Sequence, residues 1–101
     1  MFLFEDFAGL DNKTLSNILA AVPPEVIAVA LGGASESTQK RFFSCMTESK
    51  AELTQFEMDR KGAPQVGPIL DNQREMIRIA RGLEQQNKVK LVRNTKIVGQ
   101  S

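Results

Sequence analysis

The residues able to do covalent chemistry are few. The chain has a single cysteine, Cys45, and no histidine. Without an imidazole, the commonest general base and metal ligand is absent, and a thiolate-imidazole zinc site cannot be assembled. Cys45 shares an apolar helical face with Phe42 and Met46, which reads as a packed thiol rather than a nucleophile. Gly32-Gly33 follows a helical segment, not a strand, and lacks the lysine and hydroxyl spacing of a phosphate-binding loop, so it reads as a helix-ending turn. No pair of carboxylates is marked as a matched acid and base. An enzyme is not expected, nor is a cofactor or metal.

The remaining chemistry is electrostatic. Glu48, Glu52, Gln55 and Asp59 recur at i, i+4, i+7 and i+11, one stripe of a helix, while Lys50, Glu57 and Lys61 lie on another side. Such charges serve either as the solvated face of an amphipathic helix or as a surface that selects a partner by complementarity. Phe56, three residues after Leu53, either packs inward or adds an apolar element to that surface.

The segments that must position these residues are helical. Leu15, Ile18, Leu19 and Val22 fall on one helix face, with Asp11 ahead as N-cap. Pro23-Pro24 ends this helix and starts the next, Glu25 to Leu31, which is apolar nearly all round. Gly32-Gly33 then closes it where the chain is expected to turn left-handed. Ser35 caps a third helix running to about Met46, with Phe42, Cys45 and Met46 inside. Thr47 caps a fourth, ended by Gly62-Ala63-Pro64. A fifth spans about Pro68 to Gln86, its inner stripe running through Ile69, Gln73, Met76, Ile77, Ala80, Leu83 and Glu84. Lys88 to Val92 alternates polar and apolar, as an extended segment does. The expectation is an all-α fold: one compact domain, residues 1–92, of five to six short helices joined by tight Gly/Pro turns. A short extended C-terminal tail follows, with a polar stretch at 93–101.

Bulk properties agree. A chain of 101 residues, 42% hydrophobic and 25% charged, suits one globular core without disulfides. A net charge of +1 gives no global attraction for nucleic acid or an anionic membrane. The longest apolar run, Val26 to Leu31, is too short to span a bilayer. The first residues carry no basic charge and meet Glu5-Asp6 at once, unlike a signal peptide.

Three of the six phenylalanines fall in the first seven residues. The opening Met1-Phe2-Leu3-Phe4-Glu5-Asp6 begins an ordered set: Leu10-Asp11, Ala30-Leu31 with Gly33-Ala34, Phe42 with Met46, Gly62 with Pro64, and Ile79-Ala80-Arg81 with Leu83-Glu84. From Met1 to about Val92 this set resembles the C-terminal domain of the bacterial flagellar motor switch protein FliG. The resemblance implies a cytoplasmic rotor domain at the flagellar basal body, peripheral to the inner membrane and not inserted in it. It implies the cytoplasmic loop of the stator protein MotA as partner, with FliM and neighbouring FliG subunits in the switch ring, and no nucleic acid. Residues 1–10 would form a hinge segment, with Met1, Phe2, Leu3 and Phe4 as the hinge. Lys50, Glu52, Glu57, Asp59 and Lys61 would face the stator, and Gly32, Gly33 and Gly62 would shape the turns.

The chain departs from the family where its charges are expected. Gly32 stands where the family has a lysine before Gly-Ala. Ser49 replaces a ridge arginine, with Lys50 one place along. The family's acidic pair falls on Phe56-Glu57, and its arginine after the Gly-Pro turn falls near Gln65, after an apparent extra residue, Ala63. These changes open a second reading within the family, a FliG-like scaffold with weak or no stator contact. A third reading is a helix-turn-helix DNA-binding domain, with Gln39, Lys40 and Arg41 as readers and Lys88, Lys90 and Arg93 as a wing. Near-neutral charge and the flanking Glu36 and Glu48 oppose it.

Overall fold

The computed structural model describes residues 1–92. Over these residues the chain forms a 3-10 helix, Phe4–Gly9, followed by α1 (Asn12–Ala21), α2 (Pro24–Leu31), α3 (Glu36–Ser44), α4 (Glu48–Lys61) and α5 (Val66–Gln85). There is no strand among the described residues, as the all-α expectation requires. The polar stretch at 93–101 lies outside them.

Three side chains start three helices as the sequence indicates. Asp11 Oδ1 accepts from the Thr14 N–H at 2.8 Å, Ser35 Oγ from the Thr38 N–H at 3.2 Å, and Thr47 Oγ1 from the Lys50 N–H at 3.2 Å. Each satisfies an amide that the helix itself leaves unpaired. The bond from Thr14 holds the Asp11 carboxyl below its usual pKa. Pro24 occupies the first position of α2, where its missing N–H costs nothing.

The core forms around α2, which packs on α4 and α5. Its Ile27, Ala28, Ala30 and Leu31 are buried, together with Leu15, Ile18, Leu19 and Val22 from α1. Phe42, Met76 and Ala80 complete the interior from α3 and α5. Each large aliphatic side chain withdrawn in this way contributes about 1.5–3 kcal/mol before conformational entropy is counted. Helices α1 and α2 meet at 117°, so their apolar faces converge on one core. Among the described residues no single helix is long and apolar enough to cross a membrane.

The opening segment is docked by aromatic packing. Phe7 and Phe42 are fully buried and meet edge to face at 6.2 Å, with Phe4 5.7 Å from Phe7 and 5.6 Å from Phe42. Phe2 closes the cluster, edge-on to Phe7 at 5.0 Å. Arg41 fastens the same segment from α3. Its guanidinium donates to the carbonyls of Ala8 and Leu10, to Asn12 Oδ1 and to Cys45 Sγ. Five donors in a rigid fork suit such a cluster of acceptors.

Several turns differ from the sequence reading. Gly32 has φ −59° and ψ −24°, and Gly33 also lacks a positive φ, so the α2–α3 turn is not left-handed. Its glycines are required by close approach. A Cβ on Gly32 would lie 2.3 Å from Pro64 Cγ, and one on Gly33 would lie 2.8 Å from Ile69 Cγ2. Among the described residues the left-handed positions are Gly62, at φ 70° and ψ −154°, and Asn87, at φ 60°. Asn87 ends α5 in a Schellman turn, its own N–H bonding Glu84 O and that of Lys88 bonding Leu83 O, each at 2.9 Å. Helix α3 stops at Ser44, short of Met46, and α5 starts at Val66, ahead of Pro68. After the turn that ends α5, residues 89–92 form no regular secondary structure. Val89 is buried in the core cluster, and the Leu91 N–H donates to Glu84 Oε2 at 3.1 Å.

Candidate functional site

Helix α4 carries the charges that the sequence singles out, and it is the least submerged of the long helices. Thr54 is its only fully buried residue; its hydroxyl donates to Met46 Sδ at 3.7 Å. Around Thr54, helical spacing places Lys50, Ala51, Glu57, Met58 and Lys61 on the bundle-facing half. Ser49, Glu52, Leu53, Gln55, Phe56, Asp59 and Arg60 take the outer half, all exposed. Phe56 retains 59% of its surface and Leu53 54%. The alternative in which Phe56 packs inward is therefore excluded, and the outer ridge is part apolar.

The five charged residues proposed from the sequence divide between these faces. Glu52 and Asp59 lie on the outer stripe, with the Asp59 carboxylate accepting from Gln55 Nε2 at 3.0 Å. Lys50 turns inward. Its Nζ donates to Ala20 O, a carbonyl in the last turn of α1, at 3.4 Å, where the negative end of a helix dipole favours a cation. Burial pushes the Lys50 pKa below the ordinary lysine value, and Glu25 opposes that shift. Beside it, Ser16, Leu19, Cys45 and Thr47 help line an open cleft of about 380 Å³. Glu57 is ion-paired with Arg60 at 2.7 Å, and its side chain is only 20% exposed. Glu57 and Lys61 border a smaller cleft, about 60 Å³, with Val29, Gly32, Met58 and Pro64. The outward charge pattern is thus Glu48, Glu52 and Asp59 against Arg60, with Lys61 at the helix end.

The other singled-out residues have clear places. Of the four residues expected to form a hinge, Phe2 and Phe4 dock on the aromatic cluster, whereas Met1 and Leu3 are exposed. Gly32 and Gly33 lie against Pro64 and Ile69, so the α2–α3 turn projects no side chain toward the α4–α5 loop. Gly62 has open space around it and serves by its backbone conformation alone. Two of the three side chains in the DNA-reading arrangement are spent inside the fold. Gln39 Nε2 donates to Leu31 O at 2.9 Å, and Arg41 clamps the opening segment. Sequence reasoning missed that clamp and the inward turn of Lys50, because each depends on carbonyls about thirty residues away in the chain.

Comparison with known proteins agrees with this architecture. The family model described as the FliG C-terminal domain matches residues 1–91. The flagellar motor switch protein FliG of Thermotoga maritima is 30% identical over 93 residues, covering 92% of this chain and 28% of its own length. That of Pseudomonas aeruginosa is 29% identical over 91 residues, covering 90% and 27%. Among solved structures, a FliG fragment from H. pylori superposes with a TM-score of 0.82 at 27% identity, over 91% of this chain and 40% of that one. Full-length FliG from Aquifex aeolicus gives 0.77 at 30% identity, over 89% and 28%. The chain spans about a quarter of the length of the curated relatives it matches. The chain belongs to the FliG C-terminal domain family.

Proposed function

We propose that this domain works as a rotor element of the flagellar switch complex, at the cytoplasmic side of the basal body, and that the outer half of α4 is the surface it turns toward the cytoplasmic loop of the stator protein MotA. The observation that carries the reading is the exposure of α4. A fourteen-residue helix buries only Thr54 fully and leaves Glu48, Glu52 and Asp59 in solvent beside Leu53 and Phe56. Exposed charge pairs contribute about 0.2–1 kcal/mol each, weak enough for contacts to form and break as a rotor steps, while complementarity still selects the partner. FliM and neighbouring FliG subunits are the switch-ring partners in this reading. The docked Phe2-Phe4 segment is the hinge through which the domain reorients.

A second reading has a specific observation in its favour. Lys50 is committed to α1 and Glu57 to Arg60, which removes two of the five proposed contact charges from the outer face. A FliG-like scaffold with weak stator contact fits that commitment. Reversing the outer stripe with Glu52→Lys and Asp59→Lys separates the two. A rotor surface predicts assembled flagella and impaired swimming. Normal swimming of the double variant, with the domain folded, would show a scaffold.

A further inference from the structure

The first and last of the described residues meet beside the C-terminal turns of α5. Asn87, at φ 60°, turns the chain out of the helix. Val89 then enters the same apolar cluster as Phe4, Phe7 and Phe42, where it is 7% exposed. Two residues on, half-buried Leu91 packs against that cluster, as Phe2 does from the other end of the chain. A cleft of about 280 Å³ lies between them, lined by Met1, Phe2, Asp6, Arg81, Glu84 and Leu91. The fastening of residues 89–92 is slight. Among the described residues their one hydrogen bond runs from the Leu91 N–H to Glu84 Oε2 at 3.1 Å, and Lys90 and Val92 are exposed. A segment tied by one buried side chain, one half-buried side chain and one exposed hydrogen bond opens at far lower cost than the whole fold.

We propose that residues 88–92 are a latch on the opening segment. Arg41 grips that segment at its far end, through the carbonyls of Ala8 and Leu10. At the near end Phe2 is held by its edge-on contact with Phe7 and by the cleft it shares with Leu91. Lifting the latch withdraws Val89 from the aromatic cluster and Leu91 from the cleft, so the Phe2 end undocks more readily. Undocking of Phe2 in turn uncovers Leu91. The two movements share one coupling free energy, so each must favour the other to the same degree. This latch rests on the reading of the opening segment as a hinge, and it supplies what holds that hinge docked.

The test is amide hydrogen exchange in the wild-type chain and three variants. Leu91→Ser removes the half-buried side chain of the latch and leaves the fully buried core untouched. Exchange at Leu3 and Asp6, whose N–H groups bond Asp6 Oδ2 and Leu3 O inside the opening segment, should speed by about tenfold or more. Ile18 and Ala30, buried within α1 and α2, should exchange as in the wild type. Glu84→Ala removes only an exposed acceptor and should act on Leu3 and Asp6 in the same direction. Phe2→Ala should in return speed exchange of the Leu91 N–H. No change at Leu3 and Asp6 in both latch variants, no change at Leu91 in Phe2→Ala, or an equal rise at Ile18 and Ala30 would each overturn the latch. In cells, Leu91→Ser should also shift the balance between the two senses of flagellar rotation. An unshifted balance alongside coupled exchange would sink the hinge reading and leave the latch standing.

Discussion

Lys50 Nζ donates to the carbonyl oxygen of Ala20 across 3.4 Å, joining the first turn of α4 to the last turn of α1. A lysine that the family resemblance places among partner-facing charges is in the fold a cap on a neighbouring helix.

Lys50→Met keeps the aliphatic stem and removes the charge. Because burial already disfavours the charged form in the fold, the change at neutral pH should be small, within about 0.5 kcal/mol. The pH dependence has a definite sign. The Lys50 pKa lies below 10.5 in the fold, so between that lowered value and 10.5 the unfolded chain binds more protons. Wild-type stability relative to Lys50→Met should therefore rise as pH rises into the alkaline range. Denaturant titrations of both proteins at neutral and alkaline pH check this; a difference that shrinks with pH would contradict it.

Gly32 and Gly62 should fail for different reasons. Gly32→Ala drives a methyl group to within 2.3 Å of Pro64 Cγ and should cost about 1–3 kcal/mol through overpacking. Pro64→Ala on the same chain should restore part of that loss. Gly62→Ala meets open space but takes a backbone conformation that L-residues avoid, costing about 1–3 kcal/mol, and Pro64→Ala should not relieve it. Thermal melts of the five proteins decide: rescue of Gly62→Ala, or none of Gly32→Ala, would overturn these assignments.

These positions show what a sequence discloses. Caps at Asp11, Ser35 and Thr47 were legible because the side chain bonds an amide three residues on. The inner face Leu15, Ile18, Leu19 and Val22 was legible because burial follows helical period. Gly32-Gly33 misled, since two glycines after a helix suggest a left-handed turn, while the cause is Pro64 and Ile69 arriving from over thirty residues away. The true left-handed stop after α5 falls on Asn87, which the dipeptide signals do not mark. At the candidate site, helix and stripe were readable. Which charges the fold spends internally was not, because spacing separates Lys50 and Glu57 from Glu52 but does not show which side packs on the bundle.

Arg41 holds the opening segment to α3 through two carbonyls and Asn12. Arg41→Ala should lower stability by about 1–3 kcal/mol, since acceptors lose a charged donor, and should speed amide exchange at Asp6 and Leu10, whose N–H groups bond inside this segment. Arg41→Lys should restore only part, because one ammonium cannot reach all the acceptors of a fork. Unchanged exchange at both amides in Arg41→Ala would remove the clamp from the account.

Contact between the outer face of α4 and the stator, proposed above, can be tested in cells. The most direct measurement places a photo-crosslinking amino acid at position 56, in place of exposed Phe56, and separately at position 13, in place of exposed Lys13 on α1, in swimming cells. The account predicts crosslinks from position 56 to the cytoplasmic loop of MotA and none from position 13. Crosslinks to MotA from position 13 alone, or none from position 56 in cells that still swim, would contradict it.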